Sequence, residues 1–405
     1  MSGRELIPRV TISARATERI RAGHVWVYRS DVVRARDVYP GALVRVERSS
    51  EGNERSPESR RFLGSAFYSA SSQISLRMLA PHPVEDLSGL LRKRIESAVA
   101  YRQRFVAETN AYRVIFSEAD GLPGWVVDRY NDMLSFEVLT QAADRGDLRE
   151  LLVGELARAY QPASIVERVD RRVRRLEQLS EKPEGPVVGA KTSTEIQMNG
   201  VRFLIEALGG QKTGAFLDQR ENYAAAAQYA RGEALDVFCY QGGFSLHLAG
   251  GCDKVTGVDS SRPALEMAER NAALNGKEID WIEANAFDLL RDYSDAGRRY
   301  DLIVLDPPAF ARSRASLESA LAGYKELNLR ALKMLTPGGI LVTCSCSYHV
   351  RSSEFLEVIS AAAQDAHRTV RVLETRGQAR DHPSVLGIPE THYLKCVIAH
   401  VNLSK

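Results

Sequence analysis

Five cysteines in 405 residues are too few to hold a secreted chain of this length together by disulfides, so a reducing, cytoplasmic setting is expected. No apolar run is long enough to cross a bilayer, so no membrane association is expected. The first twenty residues, MSGRELIPRVTISARATERI, lack the apolar core of a secretory signal. No segment repeats at a fixed period. The G-x-G-x-x-G dinucleotide signature is absent, and no Walker lysine follows the main glycine-rich turn, which sets aside ordinary dinucleotide and P-loop sites. Cys344, Cys346 and His349 form C-x-C-x-x-H, but a second ligand pair at zinc spacing is missing, so no metal is expected.

What remains is an ordinary globular composition, 44% apolar, long enough for about three domains. The formal charge of +2 hides an asymmetry. Residues 1–36 carry eight Arg against three acids, and Glu167 to Arg175 carry five Arg against two. Basic regions set apart from a mildly acidic body fit either a polyanion-binding face or solvated arginines on an ordinary surface.

The stretch LDVFCYQGGFSLHLAGGCDKVTGVD, Leu235 to Asp259, reads as strand, glycine turn, helix, strand and terminal acid. Gly242 and Gly243 let backbone approach a ligand where a Cβ would clash, and Asp259 is spaced to accept from ribose hydroxyls. From Leu235 onward strands and helices alternate. Strands are predicted at 235–239, 254–258, 279–283, 301–305, 339–345 and 393–401, and helices at about 243–250, 262–275, 318–335 and 353–364. Ser260 or Ser261 caps the second of these helices, and Pro337-Gly338-Gly339 is read as the stop of the third. The implied fold is α/β, an open, mostly parallel, Rossmann-like sheet with its crevice at the carboxyl ends of the strands. Asp236–Gly243, Asp259, Asn285, Asp306 and Cys344–Cys346 all fall at such ends.

Ahead of that sheet, residues 1–80 read as short strands (VTIS, VWVYR, LVRVE, FLGSAFY, ISLRML) of a small barrel, with a polar loop from Ser49 to Arg60. Arg15, Arg19, Arg21, His24, Trp26 and Tyr28 mix cations with aromatics, which suits RNA contact; core packing of Trp26 and Tyr28 is the competing reading. Residues 81–185 read as a central α+β domain. It has a helix over 84–110, strands around a Gly/Pro turn, a hairpin through Tyr130–Asp132, a helix near Gly146–Ala159, the strand SIVER and an Arg-rich helix. EKPEGPVVGAKT, 181–192, reads as a linker, and 186–405 form the third domain. Residues 196–208 suggest a hairpin, and a helix starts near Gln219, flanked by Lys212 and Arg220 as phosphate or carboxylate partners.

YDLIVLDPPAF puts Asp306 at the end of a buried strand. Pro307 and Pro308 stiffen the turn and remove two donors, and Phe310 offers a ring to a flat base. Together, LDVFCYQGGF, LDPPAF followed by GYKELN, TCSCS and GQKTGAFLDQR resemble the ribosomal RNA large subunit methyltransferase I family. SEADGLPGWVVDRY resembles that family's central EEHEE domain, and the first strands resemble its PUA domain. The resemblance covers nearly the whole chain. It implies a class I, S-adenosylmethionine-dependent cytosine-C5 methyltransferase of 23S rRNA, preceded by a PUA-like barrel and an α+β domain. It places Asp236, Phe238, Gly242, Gly243, Phe244, Asp259, Ser260, Asn285, Ala286 and Asp306 around the cofactor. Pro307, Phe310, Lys212, Arg220, Arg21 and Trp26 fall on the RNA side, with Cys346 as nucleophile and Asp306 at the cytosine edge. Asn285 stands where relatives carry Asp, Ala215 where a Phe is usual, and Cys344 where an aromatic is common. That leaves two thiols two residues apart, which share a face on an extended strand. Competing readings are methylation of a purine nitrogen without an adduct, and a PUA-type RNA binder with a non-catalytic cofactor site. The central domain's own surface is compatible with a homodimer.

Overall fold

A computed structural model of the chain describes residues 7–49, 62–208, 215–311 and 313–404. The fold divides into two units. The first holds the described residues of Met1–Thr194 and Glu206–Gly214 together with Asp381–Thr391; the second holds Glu195–Ile205, those of Ala215–Arg380 and those of His392–Lys405.

In the first unit, six strands form one sheet: β1 (Arg9–Ile12), β2 (Trp26–Tyr28), β3 (Val32–Ala35), β4 (Leu43–Arg48), β5 (Phe62–Tyr68) and β6 (Ile74–Ala80). Their spatial order is β2-β6-β5-β4-β1-β3. The sheet surrounds a core that includes Val10, Ile12, Val27, Val44 and Leu76. Helix α1 (Ala14–Arg21) and β3 have no counterpart in the sequence reading. The Ser13 hydroxyl caps the helix, accepting from Ala16 N at 3.2 Å, and Ala16 and Ile20 pack on the barrel core.

A second sheet in the same unit comprises β7 (Ala111–Phe116), β8 (Trp125–Tyr130), β9 (Met133–Val138), β10 (Ser164–Arg168) and β11 (Gly185–Val188), ordered β11-β10-β9-β8-β7. Helices α2 (Leu87–Phe105) and α3 (Gly146–Tyr160) supply Leu91, Ile95, Leu148 and Leu152 to its core. Strands β9 and β10 run parallel, and α3 is their crossover. The Arg-rich helix α4 (Arg171–Glu177) follows. The stretch read as a linker carries β11, which pairs antiparallel with β10, Ile165 opposite Val188. As the edge strand of the sheet, it tolerates Pro186. Residues 381–391 also belong to this unit. The fully buried Arg102 clasps Asp120 and donates to the Asp381 carbonyl at 2.8 Å, and Arg113 N donates to the Asp381 carboxylate at 2.8 Å.

The hairpin β12 (Ser193–Met198) and β13 (Val201–Glu206) precedes the last sheet. In the second unit, α5 (Arg220–Ala227) leads into β14 (Glu233–Val237), α6 (Gly243–Leu248), β15 (Lys254–Asp259), α7 (Arg262–Leu274), β16 (Asp280–Glu283), α8 (Ala286–Asp295) and β17 (Tyr300–Leu305). There follow α9 (Leu317–Met334), β18 (Leu335–Ser345), α10 (Ser352–Asp365), β19 (Arg368–Arg376) and β20 (Lys395–Leu403). The order is β16-β15-β14-β17-β18-β20-β19; the first five strands are parallel and the last two pair antiparallel. Leu235, Val237, Ile303, Leu305 and Leu341 fill its interior. The long helix ends at Met334, before the Pro-Gly-Gly run, which lies inside β18 rather than stopping the helix. Strand β19 and helix α8 were not read from the sequence.

Candidate active site

The carboxyl ends of β14 to β18 meet in the second unit. After β14 the backbone enters the left-handed region at Phe238 (φ 67°), Tyr240 (φ 50°) and Gly242 (φ 85°). Positive φ at two aromatic residues costs about 1–3 kcal/mol each, strain that is concentrated at functional turns. The turn is held from below. Val258 O accepts from both Phe238 N (2.8 Å) and Cys239 N (3.0 Å), and Asp259 Oδ2 accepts from Tyr240 N at 2.9 Å. The His247 ring lies with Nδ1 2.7 Å from Gly243 O and Nε2 3.3 Å from the Asn199 amide, and burial pulls its pKa down to about 4.

The two glycines are required by the protein's own rings. A Cβ on Gly243 would lie 2.5 Å from the Tyr223 ring, and one on Gly242 2.9 Å from Trp281. Gly257 in β15 faces the same indole, where a Cβ would lie 2.4 Å away. Phe244 is buried edge-on against Tyr223, ring centroids 4.7 Å apart.

Asp236 is fully buried below the turn. Its Oδ2 accepts from Ser245 N (2.9 Å) and Ser245 Oγ (2.6 Å), while Oδ1 has no protein partner among the described residues. Burial pushes its pKa up to about 7, against the opposing pull of the Ser245 hydrogen bonds. At the end of β15, half-exposed Asp259 also accepts from Ser261 N at 2.9 Å; Ser260 is exposed, and Ser261 occupies the N-cap of α7 without a side-chain cap bond. Asn285 caps α8: its Oδ1 accepts from Phe287 N at 2.9 Å, and its amide nitrogen has no protein partner among the described residues. Ala286 is buried behind it.

Asp306 follows β17. Its Oδ1 accepts from Gln219 Nε2 at 3.0 Å. Gln219 Oε1 in turn accepts from Asn222 Nδ2 (2.6 Å), and Asn222 Oδ1 accepts from Arg376 Nε (3.0 Å). Gln219 and Asn222 are buried, so the Asp306 carboxylate is set by a polar chain running back to β19. Phe310, half-exposed, lies between Phe287 (5.9 Å) and Tyr324 (4.8 Å).

The two thiols separate sharply. Cys344 is fully buried and stands opposite Cys396 in the β18–β20 pairing; burial, then its neighbour Cys396, pushes its pKa well up. Cys346 is half-exposed between two buried serines, with Sγ 3.8 Å from the Pro307 carbonyl oxygen. Those serines are fixed. Ser345 Oγ donates to Tyr324 OH (3.0 Å), and Ser347 Oγ lies 3.0 Å from the same phenol and accepts from Ala311 N (3.1 Å). A sulfur at the end of β18 thus abuts the proline turn after β17.

Residues 161–388, more than half the chain, match the S-adenosylmethionine-dependent methyltransferase family, and residues 10–81 match a PUA-like domain. The chain is 36% identical over 392 residues to a Ribosomal RNA large subunit methyltransferase I of Photobacterium profundum, covering 94% of this chain and 96% of the relative. It is 40% identical over 350 residues to the protein of that name in Aeromonas salmonicida, covering 84% and 87%. The chain belongs to the ribosomal RNA large subunit methyltransferase I family. Its cofactor is S-adenosylmethionine. A solved SAM-dependent methyltransferase of Streptococcus mutans shares the fold, with a TM-score of 0.81 at 20% identity over 97% of this chain and 100% of that one. The rim suits a ligand of this kind: a strained turn, a buried carboxyl with one unpartnered oxygen, and Asp259 and Asn285 at successive strand ends.

Other residues singled out in the sequence lie elsewhere. Arg220 is 1% exposed, closed to a phosphate by burial. In the first unit, Arg21 is exposed, but the Trp26 indole is half-buried and donates to Glu118 at 3.0 Å. Arg15 and Arg19 are both tied to Asp31. Lys212 lies outside the described residues. A shallow depression bounded by Asp253, Lys254, Lys277 and Asp280 sits at the amino ends of β15 and β16, away from the rim. Among the described residues, no helix is long and apolar enough to cross a membrane, and no His, Cys, Asp and Glu group could hold a metal ion. Sequence reasoning missed Gln219, Asn222, Arg376, Tyr324, Ser345, Ser347, His247 and Lys395. Gln219, Tyr324, Ser345 and Ser347 lie inside the motifs GQKTGAFLDQR, GYKELN and TCSCS, which mark the family without assigning them a role, and Lys395 is visible as a charge at the start of an apolar strand.

Proposed function

We propose that this protein methylates carbon 5 of a cytosine in large-subunit (23S) ribosomal RNA, through a transient bond between Cys346 and cytosine C6. Relatives that align with over four-fifths of the chain are named for methylating the ribosomal RNA of the large subunit. The observation that carries the cysteine mechanism is the contrast at the end of β18, where Cys344 is sealed and Cys346 half-exposed beside Pro307.

Cytosine C5 is too weak a nucleophile to take a methyl unaided. The Cys346 thiolate adds to C6, forming an S–C bond and moving the ring's electron pair towards C5. Bound S-adenosylmethionine supplies the electrophilic methyl group. Asp306, oriented by Gln219, faces the N3/N4 edge, where sharing a proton with N3 offsets the negative charge that the thiolate brings to the ring. Loss of the C5 proton then restores the double bond and expels the thiolate. Phe310 offers a face to the base, which must leave its stack to enter.

In this reading the turn at Phe238–Gly243, with Asp236 and Phe244, shapes the methionine end of the cofactor site. Asp259 and Ser260 take the ribose, and Asn285 and Ala286 border the adenine. Residues 1–80 bind RNA, with Arg21 exposed for phosphate; residues 81–185 form a central domain and 186–405 the catalytic one. Nucleoside mass spectrometry of 23S rRNA incubated with protein and methyl-labelled cofactor tests the assignment. Labelled 5-methylcytidine is expected; label on a purine nitrogen, or none on naked RNA or immature subunits, overturns it.

A further inference from the structure

Lys395 opens β20 with only 4% of its surface exposed, a rare place for an ammonium group. It stands opposite Ser345 in the β18–β20 pairing. Its Nζ donates to Ser347 O at 2.6 Å and to Tyr393 O at 2.8 Å. Lys395 therefore meets the residues on either side of Cys346, Ser345 through the strand pairing and Ser347 through its ammonium, and two of its three N–H groups are engaged by carbonyls. Neutral carbonyls satisfy hydrogen bonds but leave the charge uncompensated.

We propose that Lys395 is the charge partner of Cys346: a positioning residue whose buried ammonium holds the Ser345–Ser347 segment and favours the thiolate over the thiol. This rests on the reading of Cys346 as nucleophile. Burial pulls the Lys395 pKa down to about 8, while Cys346 and then Glu354 pull it back up. Coupling is reciprocal, so a thiolate that stabilises the ammonium is stabilised by it to the same degree. The other titratable groups facing this pair do not replace it. The Tyr324 phenol is pushed up by burial and stays neutral. Glu354 sits on α10 and is engaged by Arg351 N at 2.7 Å. Cys344 is held as a thiol by burial, and the Asp306 carboxyl, beyond the proline turn, supplies no positive charge.

The test is the pH dependence of alkylation by iodoacetamide on the full-length protein, read at each cysteine by peptide mass mapping. Half-buried Cys252, whose pKa burial raises, serves as internal reference. In the wild-type chain the Cys346 midpoint falls about one unit below the ordinary thiol value of about 8.5. Lys395→Met moves that midpoint up by about one to two units and leaves Cys252 unchanged, while Lys395→Arg, which keeps the charge, retains most of the depression. A wild-type midpoint at or above about 8.5 overturns the proposal even where the Met variant fails to fold. So does a Met variant that binds S-adenosylhomocysteine yet titrates like wild type, or an Arg variant that titrates like Met. Methyl transfer by Cys346→Ala is a separate outcome: it removes the nucleophile reading whatever value the thiol shows.

Discussion

Gln219 donates to Asp306 across 3.0 Å, although 87 residues separate them in the chain. Gln219 is buried, and Asn222 and Arg376 stand behind it, so the direction of the carboxylate is decided by groups that never meet a base. Replacing Gln219 by Leu leaves Asp306 without that donor and Asn222 Nδ2 without one of its acceptors. Methyl transfer is expected to fall about tenfold to hundredfold with cofactor affinity nearly unchanged. Single-turnover transfer to RNA, alongside S-adenosylhomocysteine calorimetry, checks this.

The two thiols of TCSCS make opposite predictions. Cys346→Ser abolishes turnover while cofactor binding persists. Cys344→Ala keeps turnover, and its cost appears in stability, about 1 kcal/mol for a small buried side chain. Urea unfolding and methyl transfer, measured on both variants, separate the roles.

Gly257 lies under the Trp281 ring, where an added methyl would come within 2.4 Å. Gly257→Ala is expected to cost about 1–3 kcal/mol through overpacking, and Trp281→Leu in the same chain restores part of it. Urea midpoints of the two single variants and the double variant form the required cycle.

Asp236 and His247 give stability opposite pH slopes. The folded-state pKa of Asp236 is raised to about 7, so its contribution is present in acid and lost as pH rises through about 7. That of His247 is lowered to about 4, so the folded state binds fewer protons than the unfolded chain between about 4 and 6.5, and stability is lost as pH falls through that window. The two largely cancel in the wild type. Asp236→Asn leaves a chain whose stability climbs more steeply from pH 4 to 6.5, and His247→Gln one that climbs less or declines, as equilibrium denaturation at several pH values will read out.

The central strands of the last sheet were legible because parallel strands buried on both faces appear as short apolar runs, such as LIVL before Asp306. Helix α8 escaped because Asn285 stands out as a rim group, which draws the eye from the short amphipathic run AFDLLRDYSD that it caps. Strand β19, RTVRVLETR, escaped because it is an exposed edge with charges interleaved. Asp306 and Cys346 stood out because strand ends are where such a fold delivers chemistry. Gln219 and Lys395 did not, because their roles depend on register and on partners 87 and 48 residues away. The glycines were found for an incomplete reason: Tyr223 and Trp281, not only a ligand, exclude a side chain there.

The most direct measurement of the cysteine mechanism uses 23S rRNA containing 5-fluorocytidine, with saturating S-adenosylmethionine. Fluorine at C5 cannot leave as the proton does, so the methylated adduct cannot release the enzyme. The account predicts a denaturation-resistant protein–RNA complex whose cross-linked peptide contains Cys346 and which Cys346→Ser does not form. A wild-type protein that methylates ordinary RNA but forms no such complex, or one trapped through another residue, contradicts it.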